Sequence, residues 1–188
     1  MYQCKVILLG KSYAGKSSII NRYIYNEYKT NLTTTIGASY YTKTIETKTG
    51  KIKFNLWDCS GMEVYNSLLP MYYRSTNIAV VVYDVTSLAS YNQCQRSIDD
   101  LKRNTENVSI ILVANKIDLE REIVYQDGLL LANSNKIAYH ECSAKTGQGV
   151  LELFDLIASK LDIKLLDGQT MRDKPIRLEE KEEKSCCY

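Results

Sequence analysis

Residues Gly10 to Ser17 read G-K-S-Y-A-G-K-S and follow directly on the apolar run Val6-Ile7-Leu8-Leu9. The spacing is G-x-x-x-x-G-K-[ST], in the strand, loop and helix context that such a loop requires. A loop of this kind turns backbone N–H groups toward a polyphosphate. Lys16 then reaches the terminal phosphates and the Ser17 hydroxyl is placed to ligate Mg²⁺. Ser12, Tyr13, Ala14, Gly15 and Ser18 complete the expected cradle. The expected ligand is a nucleoside triphosphate, weighed against a plain Gly-rich turn that holds nothing.

Outward from this loop, apolar β-branched runs near residues 3–9, 38–47, 52–58, 78–84, 108–114 and 137–142 predict six strands. Lys48-Thr49-Gly50-Lys51 is the expected turn between the second and third. Helical faces lie between the later strands: Tyr91, Cys94, Ile98 and Leu101 form one, and Val150, Phe154, Ile157 and Leu161 another. Ile19, Ile20, Tyr23 and Ile24 give the first helix its buried side. Strands alternating with helices imply an α/β fold with a mostly parallel six-stranded sheet, helices on both faces, and ligands at the carboxyl ends of the strands. Gly10 stands at such an end.

The 188 residues suit one domain, expected over 1–164, followed by a flexible tail over 165–188. With 45% hydrophobic residues and 24 basic against 22 acidic ones, the composition is that of a soluble globular protein and gives no argument for nucleic acid. Six cysteines show neither a C-x-x-C pair nor metal spacing. Cys4, Cys59, Cys94 and Cys142 fall in apolar segments, where a thiol acts as a small hydrophobe, so a reducing compartment is expected. The opening M-Y-Q-C-K leaves no room for a signal peptide, and no apolar run approaches membrane-spanning length. The expected location is the cytosolic side.

A second signal, Leu56-Trp57-Asp58-Cys59-Ser60-Gly61, closes the third strand, and places Asp58 as the acidic partner of the Mg²⁺ held by Ser17. A third consists of Asn115-Lys116-Ile117-Asp118 and Ser143-Ala144-Lys145, two polar loops after the fifth and sixth strands. Together they suit guanine. The Asp118 carboxylate accepts from N1–H and the 2-amino group, and the Ala144 N–H donates to O6. Asn115 ties the loops together and the Lys116 stem lies along the base. Adenine would leave the carboxylate unpaired, a mismatch worth roughly 10⁴-fold.

Taken together, G-K-S-Y-A-G-K-S, T-T-T-I-G, W-D-C-S-G-M-E, N-K-I-D and E-C-S-A-K occur in the order and spacing of the Ras-like small GTPases, a single phosphate-loop NTPase domain, over residues 3 to 162. T-I-G-A-S-Y, the stretch from Tyr65 to Ser75, V-V-V-Y-D-V-T and the terminal cysteine pair resemble the Rab branch, and L-L-P-M-Y-Y-R its endosomal members. The resemblance implies a GTP/GDP switch with Mg²⁺ that hydrolyses GTP in vesicle traffic. Thr35 then binds Mg²⁺ and the γ-phosphate, Gly61 meets the γ-phosphate, and Tyr28 packs on guanine. Lys16, Thr35 and Gly61 are the catalytic set. Tyr40, Trp57 and Tyr72 form the aromatic trio that meets effectors, with ordinary sheet packing the plainer reading, about as good for Trp57. Implied partners are an exchange factor, a GTPase-activating protein, effectors, a prenyltransferase with its escort protein, and a GDP-dissociation inhibitor. The implied state is a monomer on the cytoplasmic face of endomembranes, with a cytosolic pool. Loss of one phosphate would release Thr35 and Gly61 together, and reversing a 1:99 population needs roughly 5.5 kcal/mol.

The chain departs from this pattern where glutamine normally follows Gly61: here stands Met62, whose thioether cannot orient water. Slow hydrolysis is expected, or a nearly permanent GTP-loaded scaffold. Tyr13 and Cys59-Ser60 are milder departures. At the tail, Ser185 occupies the place of a C-a-a-X cysteine, so Cys186 and Cys187 resemble a doubly geranylgeranylated terminus. Arg177, Lys181 and Lys184 alternate with four glutamates, so no polybasic patch assists. A phosphate-loop kinase or ATPase has no use for N-K-I-D and S-A-K, and His140, near a strand end, reads as structural.

Overall fold

The computed structural model describes residues 1–30, 33–47 and 50–161, apart from the Asn66 side chain. Six strands form one sheet: β1 (Tyr2–Leu9), β2 (Ala38–Thr47), β3 (Gly50–Cys59), β4 (Ile78–Asp84), β5 (Ser109–Asn115) and β6 (Ala138–Glu141). Their spatial order is β2-β3-β1-β4-β5-β6, with β2 antiparallel to β3 and every other pairing parallel. Among the described residues, four helices connect them, α1 (Lys16–Tyr25), α2 (Leu69–Tyr73), α3 (Leu88–Asn104) and α4 (Tyr125–Asn135), α5 (Val150–Ser159) follows β6, and a 3-10 helix over Glu63–Leu68 leads into α2. The expected α/β architecture is the observed one.

Side chains alternate across each strand, so the apolar strands supply two cores. Val6, Leu8, Val80, Val82 and Val113 face one way and pack with Ile19 and Ile20 of α1 and Val150, Phe154 and Ile157 of α5. Ile7, Leu9, Val81, Tyr83 and Leu112 face the other, against Cys94, Ile98 and Leu101 of α3 and Ala132 of α4. All seven residues of β4 are buried, as a central parallel strand requires. The strand ends at β1, β3, β4, β5 and β6 thus open onto one rim, where the loops gather.

Several local readings need correction. Gly50 and Lys51, assigned to a turn, already belong to β3, whose Gly50 pairs with Thr47; Lys48 and Thr49 lie outside the described residues. The last strand is shorter than expected because the chain leaves the ladder at Cys142, whose N–H bonds Ala114 O at 2.8 Å as the chain turns into the S-A-K loop. The helix α4 is unforeseen: Tyr-Gln-Asp-Gly-Leu-Leu-Leu-Ala buries only Gly128 and Ala132 and exposes Leu130, so it carries no apolar stripe. The tail over 165–188, with Cys186 and Cys187, lies outside the described residues.

Helix α3 begins where Ser87 accepts the Ser90 N–H at 3.3 Å. Ser87→Ala removes that cap and should cost about 1 kcal/mol. Urea unfolding would read this as a lower midpoint at unchanged slope.

Candidate functional site

The phosphate loop leaves β1 at Gly10, whose φ is +135° and where a Cβ would stand 2.1 Å from Val82 O. Only glycine lets the chain pass so close to β4. Gly15, with φ +95°, lies equally tight against the Asn115 amide, 2.2 Å from a built Cβ. Tyr13 holds φ +67° while 75% exposed, a conformation costing a bulky residue about 1 kcal/mol. No side chain caps the start of α1, so its first N–H groups face the loop. Lys16 is buried and donates to Gly10 O at 2.8 Å and Lys11 O at 3.1 Å, leaving one ammonium proton for a phosphate oxygen. Burial lowers its pKa, and the nearby Asp58 carboxylate opposes that shift.

Beside it, three side chains from three segments converge. Ser17 Oγ donates to Asp58 Oδ2 at 2.5 Å; Thr35 Oγ1 lies 3.2 Å from that same oxygen and 3.2 Å from Ser17 Oγ. The other carboxylate oxygen, Asp58 Oδ1, is the single buried side-chain N or O atom without a partner among the described residues. Burial pushes the Asp58 carboxyl upward, with the Ser17 bond, Lys16 and Thr35 pulling the other way. Two hydroxyls, one carboxylate and an orphaned oxygen are what a small hard cation completes, so Ser17, Thr35 and Asp58 fit Mg²⁺. Held by these three residues, Mg²⁺ would supply positive charge to offset the negative charge that develops when a phosphoryl group is transferred.

Gly61 packs on the phosphate loop. Ser12 N–H donates to Gly61 O at 3.3 Å, and a Cβ at Gly61 would fall 2.3 Å from Ser12 N. Ser60 N–H donates to Gly37 O at 2.8 Å, which joins the segment after Asp58 to the one after Thr35. Ser60 Oγ accepts the Met62 N–H at 3.2 Å, and the Met62 side chain stands partly exposed at the head of the 3-10 helix.

The two base loops meet as expected. Asn115 Nδ2 donates to Ala14 O at 2.8 Å, and Asn115 Oδ1 accepts the Ala144 N–H at 3.1 Å. One amide thereby joins the phosphate loop to both base loops. The Ala144 N–H assigned to O6 is thus engaged, and would serve O6 only as a shared donor. Ser143 Oγ donates to Asp118 Oδ1 at 2.5 Å and holds that carboxylate in place. Lys116, with φ +68°, ends on Asp84 Oδ2 at 2.5 Å, which anchors the far end of its stem. Tyr28 is exposed in the chain that follows α1, and Lys145 Nζ lies 3.9 Å from Asp118 Oδ2.

On the outer side, Tyr40 and Trp57 rings are 5.0 Å apart and Trp57 and Tyr72 rings 5.6 Å apart, one continuous aromatic surface across β2, β3 and α2. Trp57 and Tyr72 also pack against the second core, which is the sheet packing that the plainer reading of the trio expects.

Several supporting residues carry no motif. Asp84 binds Lys116 through one oxygen and the N–H and hydroxyl of Thr86 through the other, at 2.9 and 2.8 Å. Arg121, three positions after Asp118, grips both oxygens of Glu141, two before Ser143, at 2.7 Å each. Tyr139 donates to Glu141 at 2.7 Å and meets Tyr83 at 3.1 Å. Gly128 makes room for this pair, since a Cβ there would lie 2.4 Å from the Tyr83 hydroxyl. Burial works to raise the Glu141 pKa, but the Arg121 and Tyr139 bonds outweigh it and the net shift is downward. Its stabilisation is therefore present above the ordinary carboxylate range and lost as pH falls through the lowered value. Only the run of spacing from Asp118 to Arg121 and from Glu141 to Ser143 hints at this in sequence. His140 Nε2 lies 2.7 Å from Gly149 O, at the start of α5.

A model of the Ras family matches residues 5–163, which spans the phosphate loop, the segments of Thr35, Asp58 and Gly61, the N-K-I-D and S-A-K loops, and the sheet from within β1 to β6. The chain belongs to the Ras family, the small GTPases that bind GTP and GDP with Mg²⁺, hydrolyse GTP, and answer to exchange factors, activating proteins and effectors.

Proposed function

We propose that this GTPase is a Rab-type switch of vesicle traffic, acting at endosomal membranes through a lipid-bearing tail. The observation that carries the reading is the aromatic surface of Tyr40, Trp57 and Tyr72, which joins β2, just past Thr35, to α2, just past Gly61. A surface built from both nucleotide-sensing segments exposes one shape with GTP and another with GDP. Tyr40 is half exposed and Trp57 carries Lys5 over its ring at 5.4 Å, an amphipathic patch of the kind that anchors interfaces. Phosphates rest on Ser12 to Ser18, the base on Asn115, Lys116, Asp118, Ser143, Ala144, Lys145 and Tyr28, and Mg²⁺ on Ser17, Thr35 and Asp58. Lys16, Thr35 and Gly61 stabilise the transferring phosphoryl group. Cys186 and Cys187 accept the prenyl groups, which brings in the transferase, its escort protein and the GDP-dissociation inhibitor.

The test is capture of vesicle-tethering proteins on GTP-analogue-loaded protein. Tyr40→Ala should reduce capture about 10-fold while nucleotide affinity stays unchanged. Undiminished capture, or capture equal with GDP, sinks the reading. In fractionated cells, protein with Cys186→Ser and Cys187→Ser should move to the soluble fraction; if it stays on membranes, the lipid anchor is wrong.

A second reading, a scaffold that stays GTP-loaded, is favoured by Met62 alone. Nucleotide extracted from protein isolated from cells would then be mostly GTP.

A further inference from the structure

The S-A-K loop is a single α-turn. Gly147 N–H donates to Ser143 O at 2.8 Å, and Ser143 Oγ accepts the Thr146 N–H at 3.1 Å. The N–H end of this turn faces the N-K-I-D loop, where Ala144 N–H meets Asn115 and Ser143 Oγ meets Asp118. Its carbonyl end faces α1, and there one side chain takes it. Arg22 donates from Nε to Ala144 O at 2.9 Å and from Nη2 to Lys145 O at 2.6 Å, across 122 and 123 positions of sequence. From Nη1 it donates to Asn26 O at 2.9 Å, at the end of α1. Its stem lies against Gly147, with Cδ 3.6 Å from where a Cβ would be.

A trans peptide is planar, with its C=O and N–H antiparallel. The Ala144 carbonyl and the Lys145 N–H belong to one such peptide, so holding the carbonyl on Arg22 turns that N–H toward the N-K-I-D side. Among the described residues the Lys145 N–H has no acceptor, whereas Ala144 N–H is shared with Asn115. The donor left open on the guanine side is therefore the one Arg22 aims.

We propose that Arg22 is a positioning residue for the base: it clamps the carbonyl end of the S-A-K-T-G turn, aims the Lys145 N–H at guanine O6, and so sets how long guanine nucleotide stays bound. The role rests on the guanine reading of the two base loops. Charge-assisted bonds from a planar guanidinium to two carbonyls hold the turn, and neither a lysine nor a glutamine reproduces that fork. Because the same guanidinium reaches Asn26, displacement of the chain between α1 and Thr35 would loosen the base as well.

The test measures dissociation of a fluorescent GDP and, by competition, the affinities of GDP and ADP, for wild type, Arg22→Ala and Arg22→Lys. GDP should leave about 30-fold faster from Arg22→Ala, with Arg22→Lys between, while ADP, which offers no carbonyl at that position, binds all three within about twofold. The GDP preference then narrows by the factor gained in rate. GDP dissociation within about twofold of wild type, or equal weakening of GDP and ADP, assigns Arg22 to general support of α1 and overturns the proposal. Absence of any GDP preference in the wild type overturns the guanine reading itself. If Arg22→Ala fails to fold, Arg22→Lys carries the same comparison at smaller amplitude.

Discussion

Asp118→Asn should weaken GDP binding roughly 10⁴-fold and reverse the base preference toward xanthosine diphosphate. In the proposed guanine site the carboxylate would accept two guanine protons, whereas an asparagine amide presents a donor to one of them, where xanthine offers a carbonyl instead. Folding should be spared: Ser143 Oγ donates to Asp118 Oδ1 at 2.5 Å, and an asparagine carbonyl oxygen accepts the same bond. Calorimetry with the two diphosphates checks this, alongside thermal unfolding of each variant. A loss equal for both nucleotides would mean the substitution had deformed the loop rather than changed its hydrogen-bond pattern, and guanine selection would have to lie elsewhere.

The second large effect runs in the direction of gain. Met62→Gln should raise single-turnover GTP hydrolysis about 100-fold, the reverse of deleting one transition-state donor from other enzymes. Met62 heads the 3-10 helix just past Gly61, with its N–H on Ser60 Oγ at 3.2 Å and its carbonyl on Tyr65 N at 3.1 Å. Its backbone is therefore fixed next to Gly61, the residue proposed to meet the γ-phosphate, and a glutamine amide there gains an orienting group that sulfur lacks. Equal rates for wild type and variant would show that this chain places water by other means.

How far the sequence reveals these features depends on whether a feature is local. Gly10, Gly15 and Lys16 are readable because a tight turn and a phosphate impose residue types at fixed spacing. The strands are readable because β4, β5 and the second half of β1 are buried on both faces and need continuous apolar runs rich in β-branched residues. The helix α4 is not, since it buries only the small residues Gly128 and Ala132, the first of them packed directly on Tyr83 and Tyr139. The same limit hides the supports of the site. Arg22 reaches across 122 positions to Ala144, and Asp84 across 32 to Lys116, so nothing in either neighbourhood marks the partner. The engagement of the Ala144 N–H by Asn115 is likewise a matter of three-dimensional register.

The four interior thiols have a consequence for how the protein can be modified. Cys4, Cys59, Cys94 and Cys142 are buried, and loss of water pushes each pKa up to about 12. At cellular pH they hold their protons and offer no nucleophile to an oxidant or an electrophile. Sulfur chemistry at these four positions is thereby silenced, so an oxidant or alkylating agent that reaches the folded domain leaves its interior thiols untouched.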